Sequence, residues 1–191
     1  NVVVTPTATT IYTVIGRTGT CSNTRTISLT VNPSPTVTAA SSPTLICRGS
    51  SSTLTAGGAS TYTWNPGALT GSTTVVTPTA TTTYTVDADN GTGCVASETI
   101  TINVNSIPTI SISATSTVLC SSNTVTMTAS GATTYTWMPL SATTVSVTDS
   151  PTVTTTYTVI GEDAIGCSST QTITINVSTT PTITASSTST T

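Results

Sequence analysis

Residues recur along this chain at a spacing of 73. Tyr62 and Trp64 return as Tyr135 and Trp137, Cys47 returns as Cys120, and Cys21, Cys94 and Cys167 form one series, as do Pro35, Pro108 and Pro181. Tyr12, Tyr84 and Tyr157 follow at spacings of 72 and 73, and so do Pro6, Pro78 and Pro151, which places a single-residue gain or loss between Tyr12 and Cys21. A period of this length is that of a small domain, because a β-helix coil would repeat at roughly twenty residues. The phase divides the chain into the second half of a truncated repeat (1–32), two complete repeats (33–105 and 106–178) and the first strand of a following repeat (179–191). Asn1 aligns with Thr73, and Thr191 with Val118 and Leu45, so neither end supplies a counterpart of residues 46–72. A head and a tail from neighbouring chains therefore do not complete a domain. The chain is expected to be a window of a longer array, since arrays are closed by caps that are not recognisable here.

Composition indicates what such a repeat is made of. Of 191 residues, 56 are Thr and 27 are Ser, whereas charged residues make up 5% and neither Phe nor His occurs. Hydroxyl groups must carry most of the contact with water. The bulk composition is that of a mucin-like stalk, but Val, Ile, Leu, Tyr and Trp recur in short alternating runs that a disordered tract lacks. Thr, Val, Ile and Tyr fit a pleated, half-buried surface, and the helix formers Glu, Lys, Gln and Arg are scarce. An all-β fold follows. Three basic residues, Arg17, Arg25 and Arg48, in a chain of net charge −3 cannot neutralise a run of phosphates, which argues against a nucleic-acid partner and against an anionic membrane surface. No apolar run approaches the roughly 18 residues of a spanning helix, so no membrane insertion is expected. Asn1 opens no signal peptide, and the chain reads as a mature segment.

The alternating runs in the second complete repeat are 109–114, 124–129, 133–137, 144–148, 156–160 and 170–177. Six or seven short strands in 73 residues make a compact sandwich. In the stretch 99–104, Ile100, Ile102 and Val104 share one face and Thr99, Thr101 and Asn103 the other, because side chains alternate across a strand. The same parity assigns Tyr62, Trp64, Tyr84, Val86, Ile100 and Ile102 to the core of one repeat, with Tyr135, Trp137, Tyr157, Val159, Ile173 and Ile175 in the core of the next. A Tyr and a Trp two residues apart also make a carbohydrate-stacking pair when exposed; the alternation favours burial. Two sheets face to face suit the pattern better than a barrel does.

Three of these stretches carry a family likeness. Tyr-Thr-Trp-Asn-Pro-Gly at 62–67, Thr-Pro-Thr-Ala-Thr-Thr-Thr-Tyr-Thr-Val at 77–86 and Asp-Asn-Gly-Thr-Gly-Cys at 89–94 resemble the immunoglobulin-like, PKD-related tandem repeats of large secreted or cell-surface proteins of Bacteroidota. The resemblance covers essentially the whole chain. It implies tandem immunoglobulin-like β-sandwiches in an extended stalk or an adhesin, including the gliding-associated kind, often exported by type IX secretion. No type IX sorting domain is recognisable in the sequence.

Cys47 and Cys94 are separated by 47 residues, as are Cys120 and Cys167, so bonds within each repeat are the first expectation, and Cys21 is left unpaired by truncation. Disulfides imply an oxidising compartment. Geometry raises an objection. Cys47 falls near the first turn of an immunoglobulin-like repeat and Cys94 near the last, at opposite poles, whereas bonded cysteines need Cα atoms within about 7 Å. Either the strand order differs, or Cys47 lies further along its strand, or the bond joins successive repeats as Cys47–Cys167.

Chemistry-bearing motifs are sparse. Without His, a Ser-His-Asp or Cys-His site is impossible, no phosphate loop is present, and no cofactor is expected; the chain is read as non-enzymatic. Asp87, Asp89 and Asn90 resemble the opening of a calcium loop but lack the distal bidentate carboxylate, and a polar hairpin turn is the plainer reading. Rows of Thr-x-Thr occur on ice-binding faces as well as on ordinary solvated strands, and a twisted sandwich is a poor flat template. Asn90-Gly-Thr and Asn176-Val-Ser match the N-glycan sequon, and the many hydroxyls are O-glycan acceptors in principle. The expected protein is secreted, extracellular or on the cell surface. It forms a stalk or surface filament, with a glycan- or surface-binding adhesin module as the alternative. Its expected partners are neighbouring repeats, other copies in a filament, and glycans either attached or bound.

Overall fold

The computed structural model describes residues 1–178 and 181–187. Among these every regular element is a β-strand. The chain divides into two compact units, 1–104 and 105–191.

The first unit opens with β1 (Thr10–Thr18) and β2 (Cys21–Leu29), an antiparallel pair whose register sets Tyr12 opposite Ile27 and Thr18 opposite Cys21. Its apolar residues, among them Val14 and Ile27, are exposed. Eight further strands follow: β3 (Thr38–Ser42), β4 (Leu45–Cys47), β5 (Ser52–Gly57), β6 (Thr61–Asn65), β7 (Leu69–Thr70), β8 (Thr73–Val76), β9 (Thr82–Asp89) and β10 (Val95–Asn105). They form a three-stranded sheet ordered β3-β5-β8 and a five-stranded sheet ordered β4-β10-β9-β6-β7. In the second unit, β11 (Ser111–Ala114), β13 (Val125–Ser130) and β15 (Ser146–Asp149) make the three-stranded sheet. The facing sheet has β12 (Val118–Cys120), β17 (Ser168–Ser178), β16 (Thr155–Glu162) and β14 (Thr134–Met138), in that order. This is an immunoglobulin-like sandwich, in which the chain begins in one sheet, crosses to the other for a short strand, and ends there. The opening strand expected at 179–191 lies partly outside the described residues, and 181–187 are irregular.

Each core sits between its two sheets. In the first unit Leu54 and Val76 from one sheet meet Ile46, Trp64, Tyr84, Val86 and Ile102 from the other, with Tyr62 and Ile100 half-buried against them. In the second, Val125, Met127 and Val147 meet Leu119, Tyr135, Trp137, Tyr157, Val159 and Ile175, with Ile173 half-buried at the margin. Burying each such side chain contributes about 1.5–3 kcal/mol. Trp64 and Trp137 are wholly buried, and their indole N–H groups donate to the carbonyls of Gly71 (3.1 Å) and Thr144 (3.0 Å). This removes both tryptophans from any carbohydrate-stacking role.

Two glycines hold corner positions that no other residue fits. Gly58 and Gly131 adopt φ of 94° and 99°, and a Cβ at either would overlap the carbonyl of Thr36 or Thr109. Each corner is further tied by a tyrosine hydroxyl that accepts from and donates to one backbone residue: Tyr62 with Ala59 (2.8 Å for both bonds) and Tyr135 with Ala132 (2.9 Å for both).

Candidate functional site

The hydroxyl-rich surface is organised by strand register. Thr83 and Thr101 face each other across β9 and β10 with Oγ1 atoms 2.8 Å apart, and Thr156 and Thr174 do the same across β16 and β17 at 2.9 Å. On the opposite sheet Thr128 pairs with Ser146 at 3.0 Å and Thr126 with Thr148 at 3.4 Å. Hydroxyls opposed across strands satisfy one another and fix the side chains. A shallow groove beside β6 and β7, lined by Ser60, Tyr62, Thr63, Thr70 and Ser72, continues this polar surface.

The last hairpin of each sandwich is where titratable and sulfur-bearing groups gather. In the first unit Asp89 Oδ1 accepts from the N–H groups of Gly91 (2.7 Å) and Gly93 (3.3 Å), while Asn90 donates to the Pro33 carbonyl at 2.9 Å and accepts from Thr92 N–H at 3.0 Å. Asp87 accepts from Ser97 and Asn65. Of the calcium candidate Asp87, Asp89 and Asn90, the two aspartates lie at the end of β9 and Asn90 opens the polar turn toward β10. Among the described residues no group of three or more His, Cys, Asp or Glu side chains is placed to hold a metal. In the second unit Asp163 occupies the corresponding turn. The Cys167 N–H is the largest influence and desolvation, which opposes it, the second; with the smaller contributions of the Ile165 N–H, the Asn105 amide and the Gly166 N–H, the carboxyl is held below the usual carboxylate range.

These turns place the hairpin cysteines against the residues that lead into each sandwich. Cys94 Sγ lies 3.5 Å from the Asn32 carbonyl, and Cys167 Sγ lies 3.6 Å from the Asn105 amide, which also donates to Asp163 at 2.6 Å. The other cysteine type sits at the far end. Cys120 closes β12, which runs parallel to β17 with Cys120 opposite Ser178, and Ser121 N–H donates to the Ser178 carbonyl at 3.1 Å. Cys47 likewise closes β4, which neighbours β10, with Asn103 N–H donating to Thr44 at 2.9 Å as Asn176 does to Thr117 at 2.8 Å.

Cys47 and Cys167 are each disulfide-bonded, whereas Cys21, Cys94 and Cys120 are free thiols. The within-repeat pairs Cys47–Cys94 and Cys120–Cys167 are therefore not formed. The reason is the one the strand order gives: within a sandwich the two cysteine types lie at opposite ends of the last strand. That strand has eleven residues, so its ends are about 33 Å apart, far beyond disulfide reach.

No protein-family profile and no curated protein matches this sequence. Solved structures do resemble it. One is the three N-terminal domains of the highly immunogenic outer capsid protein of bacteriophage RB49, with 20% identity, a TM-score of 0.37, and coverage of 75% of this chain and 59% of that one. A second is a calcium-stabilised adhesin that helps an Antarctic bacterium reach out and bind ice, at 15% identity and TM-score 0.42, covering 92% of this chain and 58% of that one. The ectodomain of mouse nectin-like molecule 4, three immunoglobulin domains, matches at 15% identity and TM-score 0.34, with coverage of 79% and 66%. The chain spans less than two thirds of each. These are likenesses of chain path, and the immunoglobulin-like assignment rests on the strand order above.

Proposed function

We propose that this chain is a structural segment of an extracellular stalk or surface filament, built from repeats of about 73 residues that join end to end. The observation that carries the reading is where the chain enters and leaves a sandwich. In the second unit the incoming residues lie at the β16–β17 turn, where Asn105 contacts Asp163 and the Ser169 hydroxyl donates to the Pro108 carbonyl; the outgoing residue, Ser178, ends β17. Incoming and outgoing points are therefore separated by the full length of the last strand, about 33 Å for eleven residues. The first unit repeats the arrangement, with Asn32 and Pro33 against the β9–β10 turn and β10 ending at Asn105. Repeats so built extend an array with each copy, and the short Pro-containing joints 32–35, 105–108 and 178–181 favour a semi-rigid rod.

Disulfide-bonded cysteines support an oxidising, extracellular setting, and no helix among the described residues is long and apolar enough to cross a membrane. Neighbouring repeats are the first partners on this reading, and other copies of the chain or attached glycans are further ones. The PKD-related, Bacteroidota type indicated by the sequence resemblance belongs to the same proposal. Small-angle scattering together with single-particle imaging tests it: an elongated particle with an axial period of about one domain is expected, and a compact globule refutes it. The hydroxyl-lined groove beside β6 and β7 favours a second reading, an adhesin module that binds glycans. Saturable binding on a glycan array, lost on substituting Thr63 and Thr70, is its signature.

A further inference from the structure

We propose that the turn after β9 is a self-modifying site: the backbone nitrogen of Gly91 closes on the side-chain amide of Asn90, ammonia leaves, and an acidic residue remains at position 90. The proposal is independent of the stalk reading.

The groups this reaction needs are gathered in one turn. Asn90 Oδ1 accepts from the Thr92 N–H at 3.0 Å and from the Thr92 hydroxyl at 2.5 Å. A side chain bonded to the N–H two residues on is folded back along its own outgoing peptide, which brings Cγ of Asn90 toward the Gly91 nitrogen that the bond encloses. The Gly91 N–H donates to Asp89 Oδ1 at 2.7 Å, so a carboxylate already touches the proton the nucleophile must lose. The two Thr92 donors face the oxygen on which negative charge develops when the amide carbon becomes tetrahedral. The leaving amine is held at the Pro33 carbonyl, 2.9 Å away. Gly91 is exposed, adopts φ of 84° and has no Cβ to shield its nitrogen.

The second sandwich holds an acid at the equivalent position. Asn90, Thr92 and Cys94 correspond at the 73-residue spacing to Asp163, Ile165 and Cys167. The two turns share their bonding: the Asn90 N–H donates to the Cys94 carbonyl at 3.3 Å, and the Asp163 N–H to the Cys167 carbonyl at 2.9 Å. Asp163 Oδ1 accepts from the Ile165 N–H at 2.9 Å, as Asn90 Oδ1 does from Thr92, and Asp163 Oδ2 accepts from the Asn105 amide at 2.6 Å. The counterpart of Asn105 is Asn32, whose carbonyl lies 3.5 Å from Cys94 Sγ at the first turn. The fold therefore accommodates a carboxylate at this position, and a side-chain amide to meet it lies at the same turn.

In the reaction the Gly91 nitrogen attacks Asn90 Cγ and passes its proton to Asp89. An N–Cγ bond forms, and Oδ1 carries the negative charge against the Thr92 donors. Collapse re-forms the carbonyl and breaks the Cγ–Nδ2 bond. The amine departs as ammonia with the proton Asp89 had taken, so Asp89 ends as a carboxylate and a cyclic succinimide joins residues 90 and 91. Water then opens the ring, giving aspartate when it attacks at Cγ and isoaspartate when it attacks at the main-chain carbonyl. The sum is one amide and one water converted to one carboxylic acid and one ammonia, with the chain intact.

The test follows the freshly purified whole chain during incubation at neutral pH, with samples taken for ion exchange and peptide mapping. Trypsin and a glutamate-specific protease release residues 49–98 as one peptide, in which the two asparagines are Asn65 and Asn90. Asn65 precedes Pro66, which has no N–H and cannot close the ring, so conversion in this peptide reports Asn90. Isoaspartyl methyltransferase separates the two products. The expected result is an acidic form that accumulates with conversion at Asn90, faster in the folded chain than in urea. Asp89→Ser and Thr92→Val should each slow conversion by roughly tenfold or more, since a positioned base or oxyanion donor contributes at least that. Thr92 is exposed, and Thr92→Val keeps the backbone N–H, so this variant tests the site even where Asp89→Ser disturbs the turn. Asn90→Asp, the product, should keep the parent's urea midpoint, and a lowered midpoint would contradict the accommodation of a carboxylate there. Equal rates in the folded and urea-unfolded chain, or in parent and variants, overturn the proposal. So does Asn90 recovered intact or carrying a glycan.

Discussion

Replacing Trp137 by Phe probes both the packing of one sandwich and its independence from the other. The indole is wholly buried, lies across from Val159 in register, and donates to the Thr144 carbonyl at 3.0 Å. Phe leaves a residual cavity of roughly 40 Å³, which at about 24 cal/mol per Å³ costs about 1 kcal/mol. Losing the indole hydrogen bond adds about 1–2 kcal/mol. The expected destabilisation is about 2–3 kcal/mol, and with a urea m-value of about 1 kcal/mol/M for a domain this small the midpoint should fall by about 2–3 M. The two tryptophans make the assay selective, because Trp64 lies in a core drawn entirely from residues 37–104 and Trp137 in one drawn from residues 110–175. In Trp137→Phe, the circular dichroism curve should split into two steps. The earlier step should be silent in fluorescence and the later one should coincide with the Trp64 signal; Trp64→Phe should give the mirror image. If circular dichroism and Trp64 fluorescence fall together at a lowered midpoint, the two cores unfold as one and the reasoning fails. An unchanged circular dichroism curve would show that Trp137 does not hold the core.

Two further perturbations have a worked direction. Gly131→Ala combines a φ of 99° with overlap of the new Cβ on the Thr109 carbonyl, and should cost about 2–3 kcal/mol in a urea melt; Gly93→Ala, at φ 82° with open space around it, should cost about 1 kcal/mol, and equal losses at the two would refute the steric argument. Tyr157 should make the second sandwich sensitive to alkali: burial first, then the hydrogen bond to Asp149 and that carboxylate's charge, push its phenol up from 10.0 to about 12, with a hydrogen bond from Thr155 acting weakly the other way. Between these values the unfolded chain has released a proton that the folded chain keeps, so the contribution is complete below pH 10 and is lost as pH rises toward 12. After allowance for solvent screening the loss is about 1 kcal/mol. Burial raises the Tyr84 phenol too, so absorbance titration of phenolate should show late ionisation that loses its Tyr157 component in Tyr157→Phe, and a stability in Tyr157→Phe that falls equally between the two pH values would refute the assignment.

What the residues reveal unaided depends on how far apart the interacting groups lie in sequence. Alternation in a stretch such as 99–104 is a local consequence of the pleat, so the buried faces of Tyr84, Val86 and Ile102, and the packing of Trp64 beneath them, could be read from parity alone. Strands β4 and β12 could not. Three residues are too few to show alternation, and these strands owe their existence to backbone pairing with β10 and β17, more than fifty residues away. Treating the segment before Cys47 as part of the first turn left only the conflict between poles visible. Placed beside the last strand, the same cysteine lies at the outgoing end of its sandwich, which explains why Cys94 at the other pole is not its partner. The Asp89 turn was ambiguous for the same kind of reason. An Asp-x-Asp-Asn-Gly stretch is compatible with calcium or with a capped hairpin until the backbone N–H groups of Gly91 and Gly93 are seen on the carboxylate. Sequence spacing measures separation along the chain, whereas disulfides and ion sites depend on separation across the sheet. In a sandwich whose last strand runs its full height, cysteines at opposite ends of that strand are too far apart to bond one another.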